Sequence, residues 1–102
     1  MQNDARSRAR MTARSAIFIL DLLDRAAVPT WVAGGWGVDA LVGQPSRPHG
    51  DLDLLIPEAL SSRARRRLAD AGFVPTLEEL PTRFEMSHPH LGVVDLHPIH
   101  FD

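Results

Sequence analysis

Two carboxylates, Asp51 and Asp53, have the spacing in this sequence that points most directly to chemistry. They belong to the segment DLDLLI, whose residue types predict an extended strand. Because successive side chains of a strand point to opposite faces, both carboxylates are expected on the same face. Adjacent carboxylates repel each other, and a protein keeps them together when a cation lies between them. The pair therefore predicts a site for a divalent cation.

A glycine pair, Gly34 and Gly35, precedes the carboxylates and predicts a site for a phosphate group. The segment from Trp31 to Ala33 is expected to be a short buried strand, which the glycines turn sharply into a helix over residues 36–42. Backbone N–H groups at such a turn can approach a phosphate, and the helix N-terminus favours negative charge. A phosphate site beside a divalent cation is what phosphoryl or nucleotidyl transfer requires.

A third carboxylate, Asp95, lies in the strand predicted over residues 93–99, on the same face as His97. An unpaired carboxylate in such an apolar strand would be costly to bury. If this strand lies beside DLDLLI, Asp95 completes a three-carboxylate cluster able to hold two divalent ions. A surface carboxylate at the end of a strand explains the same pattern, and the spacing alone does not decide between them.

The rest of the sequence predicts the elements that hold these residues in place. They are a helix from Thr12 to about Ala27, a helix from Glu58 to Ala71, an edge strand starting at Phe73 and a half-buried strand from Arg83 to Ser87. The first helix has a wide apolar stripe that includes Ile17 and Phe18, so it is expected to pack on more than one side. We therefore expect a disordered tail over residues 1–11 and one α/β domain over residues 12–102. Its sheet should be mixed and twisted, with four or five strands flanked by helices and the active site along one sheet edge.

Composition limits the classes of function. A formal net charge of −2 provides no general footprint for nucleic acid, and the absence of cysteine excludes disulfides and thiolate metal sites. The apolar run from Ala16 to Leu20 is too short to span a bilayer, so a cytoplasmic protein without a membrane partner is expected. The arginines of the tail could form a binding arm and those over residues 63–67 could contact phosphate or RNA, but a solvated surface is the simpler interpretation of both.

Four of the five histidines lie near the C-terminal end, which raises the alternative of a zinc site. They are His88, His90, His97 and His100. No pair of them has the i, i+4 helical spacing of a zinc site, and prolines interrupt both groups. Turn and surface histidines are the preferred interpretation, although His97 could lie near the metals or the acceptor.

Several motifs in the same order resemble those of the DNA polymerase β-like nucleotidyltransferase superfamily. They are GGWGVDAL, the H-x-D-x-D of HGDLDLLI, and an R-x-E-x-x-H strand followed by VDLHPI. The resemblance is narrower to the antibiotic-modifying adenylyltransferases of lincosamides and aminoglycosides, above all the small lincosamide enzymes. It extends from about Ile17 to Phe101 and implies that residues 12–102 form a nucleotidyltransferase catalytic core.

The resemblance assigns roles to individual positions of this sequence. Positions that match nucleotide-binding residues are Gly34, Gly35, Arg47 and His49. Positions that match the catalytic metal ligands are Asp51, Asp53 and Asp95, of which the last could instead serve as base toward the acceptor. Candidates for the acceptor side are Asp39, Glu85 and His97.

The implied reaction is transfer of AMP from ATP, with two Mg²⁺ ions, to a hydroxyl of a small antibiotic. A lincosamide-like acceptor is favoured over an aminoglycoside, and a homodimer is compatible with the resemblance. The chemistry depends on neutralised phosphates and in-line positioning rather than on a covalent intermediate. The product would be an inactivated drug and pyrophosphate.

Two features depart from the pattern of the relatives. Position 50 is glycine where relatives carry aspartate or arginine, and the sequence stops at Asp102, before the region that helps form the drug pocket. Two alternatives follow: a minimal nucleotidyltransferase that modifies a protein partner, as antitoxins of the superfamily do, or a catalytically silent nucleotide-binding module. The presence of all three carboxylates argues against the silent module.

Overall fold

The computed structural model describes residues 11–33 and 51–100, and every structural statement below refers to that part of the chain. In chain order the elements are α1 (Ala13–Arg25), β1 (Trp31–Ala33), β2 (Asp51–Pro57), a 3₁₀ turn (Glu58–Leu60), α2 (Ser61–Asp70), β3 (Val74–Glu79), β4 (Arg83–His88) and β5 (Gly92–Ile99). They confirm the predicted α/β fold with a mixed sheet of five strands.

The strands lie in the order β1-β2-β5-β4-β3. β2 and β5 run parallel, whereas the three other neighbouring pairs are antiparallel. A parallel pair needs a crossover connection, and here α2, β3 and β4 lie between β2 and β5 in the chain. The two strands that carry the acidic residues are therefore neighbours in the interior of the sheet.

The first helix begins where the sequence predicts and ends earlier. Thr12 is its N-cap, and the Thr12 side chain accepts a hydrogen bond of 3.0 Å from the backbone N–H of Ser15. The helix ends at Arg25 rather than near Ala27. Ala27 has a φ of 61°, which lies outside the right-handed helical region and stops the helix.

Only one face of α1 is buried. Ile19 and Leu23 are fully buried in the core, whereas Ile17 is 66% and Phe18 46% exposed. The predicted packing of this helix on more than one side is therefore wrong. The sheet and α2 cover one side of α1, and its apolar stripe is wider than the surface that the fold covers.

The second helix is shorter than predicted because its first residues, Glu58–Leu60, form a 3₁₀ turn. Ala64 and Leu68 are fully buried, as the predicted stripe requires. Gly72 follows the helix with a φ of 100°, a conformation that L side chains rarely adopt, so the predicted stop at this glycine is confirmed.

Both helices pack on the same face of the sheet. Leu52, Leu54 and Ile56 of β2 are fully buried and alternate with half-buried residues. The core also takes residues from β4 and β5, namely Phe84, Met86, Val94 and Leu96. Because side chains alternate along each strand, Asp51 and Asp53 of β2 and Arg83, Glu85 and Ser87 of β4 lie on the opposite face.

The two edge strands differ in how well they were predicted. Pro75 lies in β3, whose register with β4 shifts between Pro75 and Leu77, and β3 is the edge strand that this proline predicts. β1 is the other edge strand, but its predicted burial is wrong. Trp31 is 47% and Val32 37% exposed, and within the described part of the chain β2 is the one strand that pairs with β1.

Met11, which the sequence analysis includes in the N-terminal tail, is 1% exposed and belongs to the core. Its side chain and backbone lie against Gly92, where an added Cβ would be 3.1 Å from the Met11 terminal methyl. Residues 1–10 and the helix predicted over residues 36–42 lie outside the described residues. Neither described helix is long and apolar enough to cross a membrane.

Candidate active site

The parallel pairing of β2 and β5 brings two of the predicted catalytic carboxylates together. Asp53 is the register partner of Asp95, and Leu55 is the partner of His97. Parallel pairing keeps side chains of partnered residues on the same face, so Asp53 and Asp95 project from the face opposite the helices. The expectation that Asp95 joins the DLDLLI carboxylates is confirmed for Asp53.

The candidate cluster lies on two interior strands, on the sheet face opposite the helices, and not along a sheet edge as predicted. β1 pairs outside β2, while β4 and β3 pair outside β5, so neither strand is an edge. Strand order depends on contacts between distant segments, which local patterns do not reveal.

Three side chains form a compact cluster at this position: Asp53, Asp95 and His97. One ligand atom from each lies within 4.8 Å of the others. His97 Nε2 is 3.4 Å from Asp95 Oδ2 and 3.9 Å from Asp53 Oδ1. Asp95 is buried, at 7% exposure, whereas Asp53 and His97 are half-buried. Asp53 and His97 are thus partly accessible to solvent, whereas Asp95 is not.

Arg83 of β4 contacts the same cluster and was not among the predicted site residues. Its Nη1 donates a hydrogen bond of 3.0 Å to Asp95 Oδ2, and its Nε lies 3.2 Å from Glu79 Oε1. The signal was available in the alternation of β4, which places Arg83 and Glu85 on one face. Only the pairing of β4 with β5, however, shows which carboxylate the arginine meets.

Burial and like charge make Asp53 a weaker acid than an ordinary aspartate. Its pKa is raised first by burial, then by the negative charges of Asp51 and Asp95, while His97 acts in the opposite direction. These causes are those expected of a carboxylate in a crowded anionic site. Asp51 is therefore electrostatically coupled to the cluster, although its oxygens are not among the three mutually close ligand atoms.

The donor set suits a hard divalent cation. Asp53 and Asp95 offer carboxylate oxygens, which Mg²⁺ and Mn²⁺ prefer. Asp95 Oδ1 is buried and has no hydrogen-bond partner among the described residues, although buried polar atoms in proteins are nearly always paired. A cation held by Asp53 and Asp95 would satisfy this oxygen and neutralise the repulsion that raises the pKa of Asp53.

The raised pKa of Asp53 predicts a pH dependence of stability in metal-free protein. In the unfolded chain Asp53 titrates near its ordinary value of 3.8, and in the folded chain it titrates higher. The folded state therefore binds this proton first, so the Asp53 contribution to the free energy of unfolding increases as pH falls from neutral through the folded pKa. Asp53→Asn should remove this contribution and stabilise the fold at pH 7.

Thermal unfolding in a chelating buffer, from pH 7 down towards the ordinary aspartate pKa of 3.8, checks this prediction. The quantity to compare is the difference between wild type and Asp53→Asn, because Arg65 lowers the pKa of Glu78 and this pair responds to pH in the opposite direction. The difference in unfolding temperature between wild type and Asp53→Asn should become smaller as pH falls. A wild-type protein that is more stable than Asp53→Asn at pH 7 without metal would contradict the prediction.

Two of the three acceptor-side candidates, His97 and Glu85, lie in the described part of the chain. His97 belongs to the cluster, and Glu85 is the register partner of Asp95 on β4. The Thr76 hydroxyl donates a hydrogen bond of 2.9 Å to Glu85 Oε2, so Glu85 lies beside the cluster with a fixed neighbour. The remaining predicted site residues, Gly34, Gly35, Asp39, Arg47 and His49, lie outside the described residues.

The other described histidines have local hydrogen-bond or ring-contact partners. His88 Nδ1 accepts hydrogen bonds from the backbone N–H groups of His90 and Leu91, at 3.0 and 3.1 Å, and so stabilises the β4–β5 turn. His100 lies 3.1 Å from a carboxylate oxygen of Glu58. The interpretation as turn and surface histidines agrees with these contacts.

The sequence of this chain is similar to those of proteins described as antibiotic-modifying enzymes. A family model described as aminoglycoside-2''-adenylyltransferase matches residues 16–102. A lincosamide resistance protein of Staphylococcus haemolyticus is 34% identical over 92 residues, which are 90% of this chain and 57% of the relative. A 2''-aminoglycoside nucleotidyltransferase of Escherichia coli is 44% identical over 39 residues, which are 38% of this chain and 22% of the relative.

Solved structures of two such enzymes have the same fold. The lincomycin-bound crystal structure of the lincosamide antibiotic adenylyltransferase LnuA has a TM-score of 0.87 at 33% identity, covering 91% of this chain and 59% of LnuA. The crystal structure of ANT(2'')-Ia with adenylyl-2''-tobramycin has a TM-score of 0.74 at 27% identity, covering 89% and 52%. This chain therefore spans little more than half the length of these relatives.

Proposed function

Because this chain belongs to the aminoglycoside-2''-adenylyltransferase family, we propose that it transfers AMP from ATP to a hydroxyl group of a small antibiotic. The acceptor we favour is lincosamide-like, since the relative that covers 90% of the chain is a lincosamide resistance protein. The similarity to an aminoglycoside nucleotidyltransferase covers 38% of the chain, so an aminoglycoside is the second choice.

The observation that carries the proposal is the juxtaposition of Asp53 and Asp95 across the parallel β2–β5 pair. Two carboxylates on one open face, one of them with a raised pKa and the other with an unpartnered buried oxygen, are arranged to bind a cation. A divalent cation bound there would supply neutralisation of nucleotide phosphates. Asp51 adds negative charge to the same face and is the third proposed ligand.

The proposed reaction is a displacement at the α-phosphorus of ATP. The oxygen of the acceptor hydroxyl forms a bond to this phosphorus while the bond to the bridging oxygen breaks, and pyrophosphate leaves. The hydroxyl proton passes to a carboxylate, for which Asp95 is the candidate when it serves as base instead of as a ligand of the cation. We propose that His97 and Glu85, which flank Asp95, orient the acceptor.

Mass spectrometry of lincomycin and clindamycin after incubation with the chain, ATP and Mg²⁺ tests this function. An aminoglycoside panel, including tobramycin, is incubated in parallel, and chelator replaces Mg²⁺ in the control. We expect a gain in mass equal to AMP minus water on a lincosamide, and none with chelator. The same gain on an aminoglycoside alone would retain the reaction and correct the acceptor.

Two other outcomes separate the alternatives. Incorporation of labelled AMP into a protein that co-purifies with the chain would favour the alternative of a minimal nucleotidyltransferase that modifies a protein partner. Mg²⁺-dependent ATP binding without transfer to any acceptor would favour a silent nucleotide-binding module and contradict the proposal for this chain.

A further inference from the structure

Asp95 is held by a positively charged residue that the metal-binding proposal does not use. Arg83 Nη1 donates a 3.0 Å hydrogen bond to Asp95 Oδ2, and the Asp95 side chain is 10% exposed. Burying a carboxylate without a counter-charge is costly, and a charge-assisted hydrogen bond from a guanidinium offsets this cost. This hydrogen bond is also the first cause that raises the pKa of Arg83.

Glu79 fixes Arg83 from the other side. Arg83 Nε lies 3.2 Å from Glu79 Oε1, and the two residues are register partners in the β3–β4 pair. The guanidinium is therefore shared between an exposed carboxylate on β3 and a buried carboxylate on β5. A change at Glu79 should alter how strongly Arg83 interacts with Asp95, without touching the cluster itself.

A divalent cation and Arg83 compete for the same negative charge. Both would lie beside Asp95, and two positive charges a few ångströms apart repel each other. Among the described residues, the negative charges on this face include those of Asp51, Asp53, Asp95 and Glu85 besides Glu79, and Arg83 already neutralises part of them. Nucleotide phosphates add negative charge and reduce the repulsion between the cation and the arginine.

We infer that Arg83 is the resident counter-ion of the carboxylate cluster, which stabilises Asp95 in the metal-free protein and weakens binding of a free divalent cation. The site would then take its cation together with the nucleotide rather than before it. This inference rests on the proposed function in one respect, namely that the cluster binds a divalent cation. It assigns Arg83 a positioning role through Asp95 and no contact with substrate.

Mn²⁺ binding in the absence of nucleotide, followed by electron paramagnetic resonance, measures the effect directly. Arg83→Met should bind Mn²⁺ about tenfold or more tightly than wild type, because a neighbouring positive charge is removed. Arg83→Lys retains the charge and should remain close to wild type. Arg25→Met is the matched control, since Arg25 forms an exposed pair with Asp21 on α1; its affinity should be unchanged.

Glu79→Gln tests the same idea with the opposite sign. Loss of the Glu79 charge leaves Asp95 as the hydrogen-bonded carboxylate partner of Arg83, with Glu85 acting on it only through its charge, so Mn²⁺ affinity should fall several-fold. Glu78→Gln is the control, because Glu78 directly precedes Glu79 in β3 and pairs with Arg65 of α2, not with Arg83. The Glu79→Gln measurement tests the inference even if Arg83→Met does not fold.

Thermal unfolding distinguishes a counter-ion from a merely structural contact. Arg83→Met should unfold at a lower temperature than wild type in chelating buffer. Saturating Mn²⁺ should make this difference in unfolding temperature smaller. If Arg83 made only a structural contact, the difference in unfolding temperature would be the same with and without Mn²⁺. If a folded Arg83→Met binds Mn²⁺ as weakly as wild type or more weakly, the inference about Arg83 is overturned, while the proposed metal site is retained. Absence of Mn²⁺ binding by every variant and by wild type would overturn the metal site and the inference together.

Discussion

Asp53→Ala should abolish nucleotidyl transfer while leaving the fold intact. We expect a loss of about 10³-fold or more in kcat, because a metal ligand contributes several kcal/mol to stabilisation of a charged transition state. The fold should persist because Asp53 lies on the open face, and its removal relieves the repulsion from Asp51 and Asp95 that helps to raise its pKa.

The assay is lincosamide adenylylation by mass spectrometry, with circular dichroism and thermal unfolding to confirm the fold. Asp70→Ala is the matched control, since it removes one exposed carboxylate at the end of α2 and changes the net charge equally. It should retain wild-type activity. Normal transfer by Asp53→Ala with an unchanged metal requirement would show that the cluster is not the catalytic site.

Phe84→Ala should cost the domain a large part of its stability. Phe84 is 0% exposed and is the largest of the fully buried side chains among the described residues. Removing a buried phenylalanine typically costs about 3–5 kcal/mol, because apolar contacts are lost and a cavity remains. The ring also lies 4.3 Å from the guanidinium carbon of Arg65, so a cation–π contact is lost with it.

Urea denaturation of Phe84→Ala measures this effect, with Phe18→Ala as its control. Phe18 is the same residue type but is 46% exposed on α1, so its truncation should cost well under half as much. Since a domain of this size is stabilised by about 5–15 kcal/mol in total, Phe84→Ala should lie close to the unfolding threshold. Equal effects of the two substitutions would contradict the assignment of the core to the helix-covered face.

Several features of the fold could be predicted because they depend on neighbouring residues. Thr12 caps α1 through a hydrogen bond to a backbone group three residues away, and Gly72 ends the second helical segment through its own φ. The strand period of two places Asp51 and Asp53 on one face whatever the strand packs against. For the same reason, Arg83 and Glu85 share a face of β4.

Exposure could not be predicted with the same success. Ile17, Phe18 and Trp31 are apolar and were expected to be buried, yet all three are exposed in the structure. A helix or strand presents apolar residues according to its own period, but burial depends on how wide a surface its neighbours cover. That width is set by the order and number of the strands, which local patterns do not contain.

The sequence by itself determined the types of the elements and the chemistry available to them, including the three carboxylates and the family resemblance that accompanies them. Only the tertiary structure decided that β5 lies parallel to β2, that Asp53 faces Asp95, and that His97 completes the cluster. It also decided that Arg83 is the counter-ion of Asp95. These contacts join strands that are far apart in the chain, and their pairing is selected by the shared core beneath them rather than by any local residue preference.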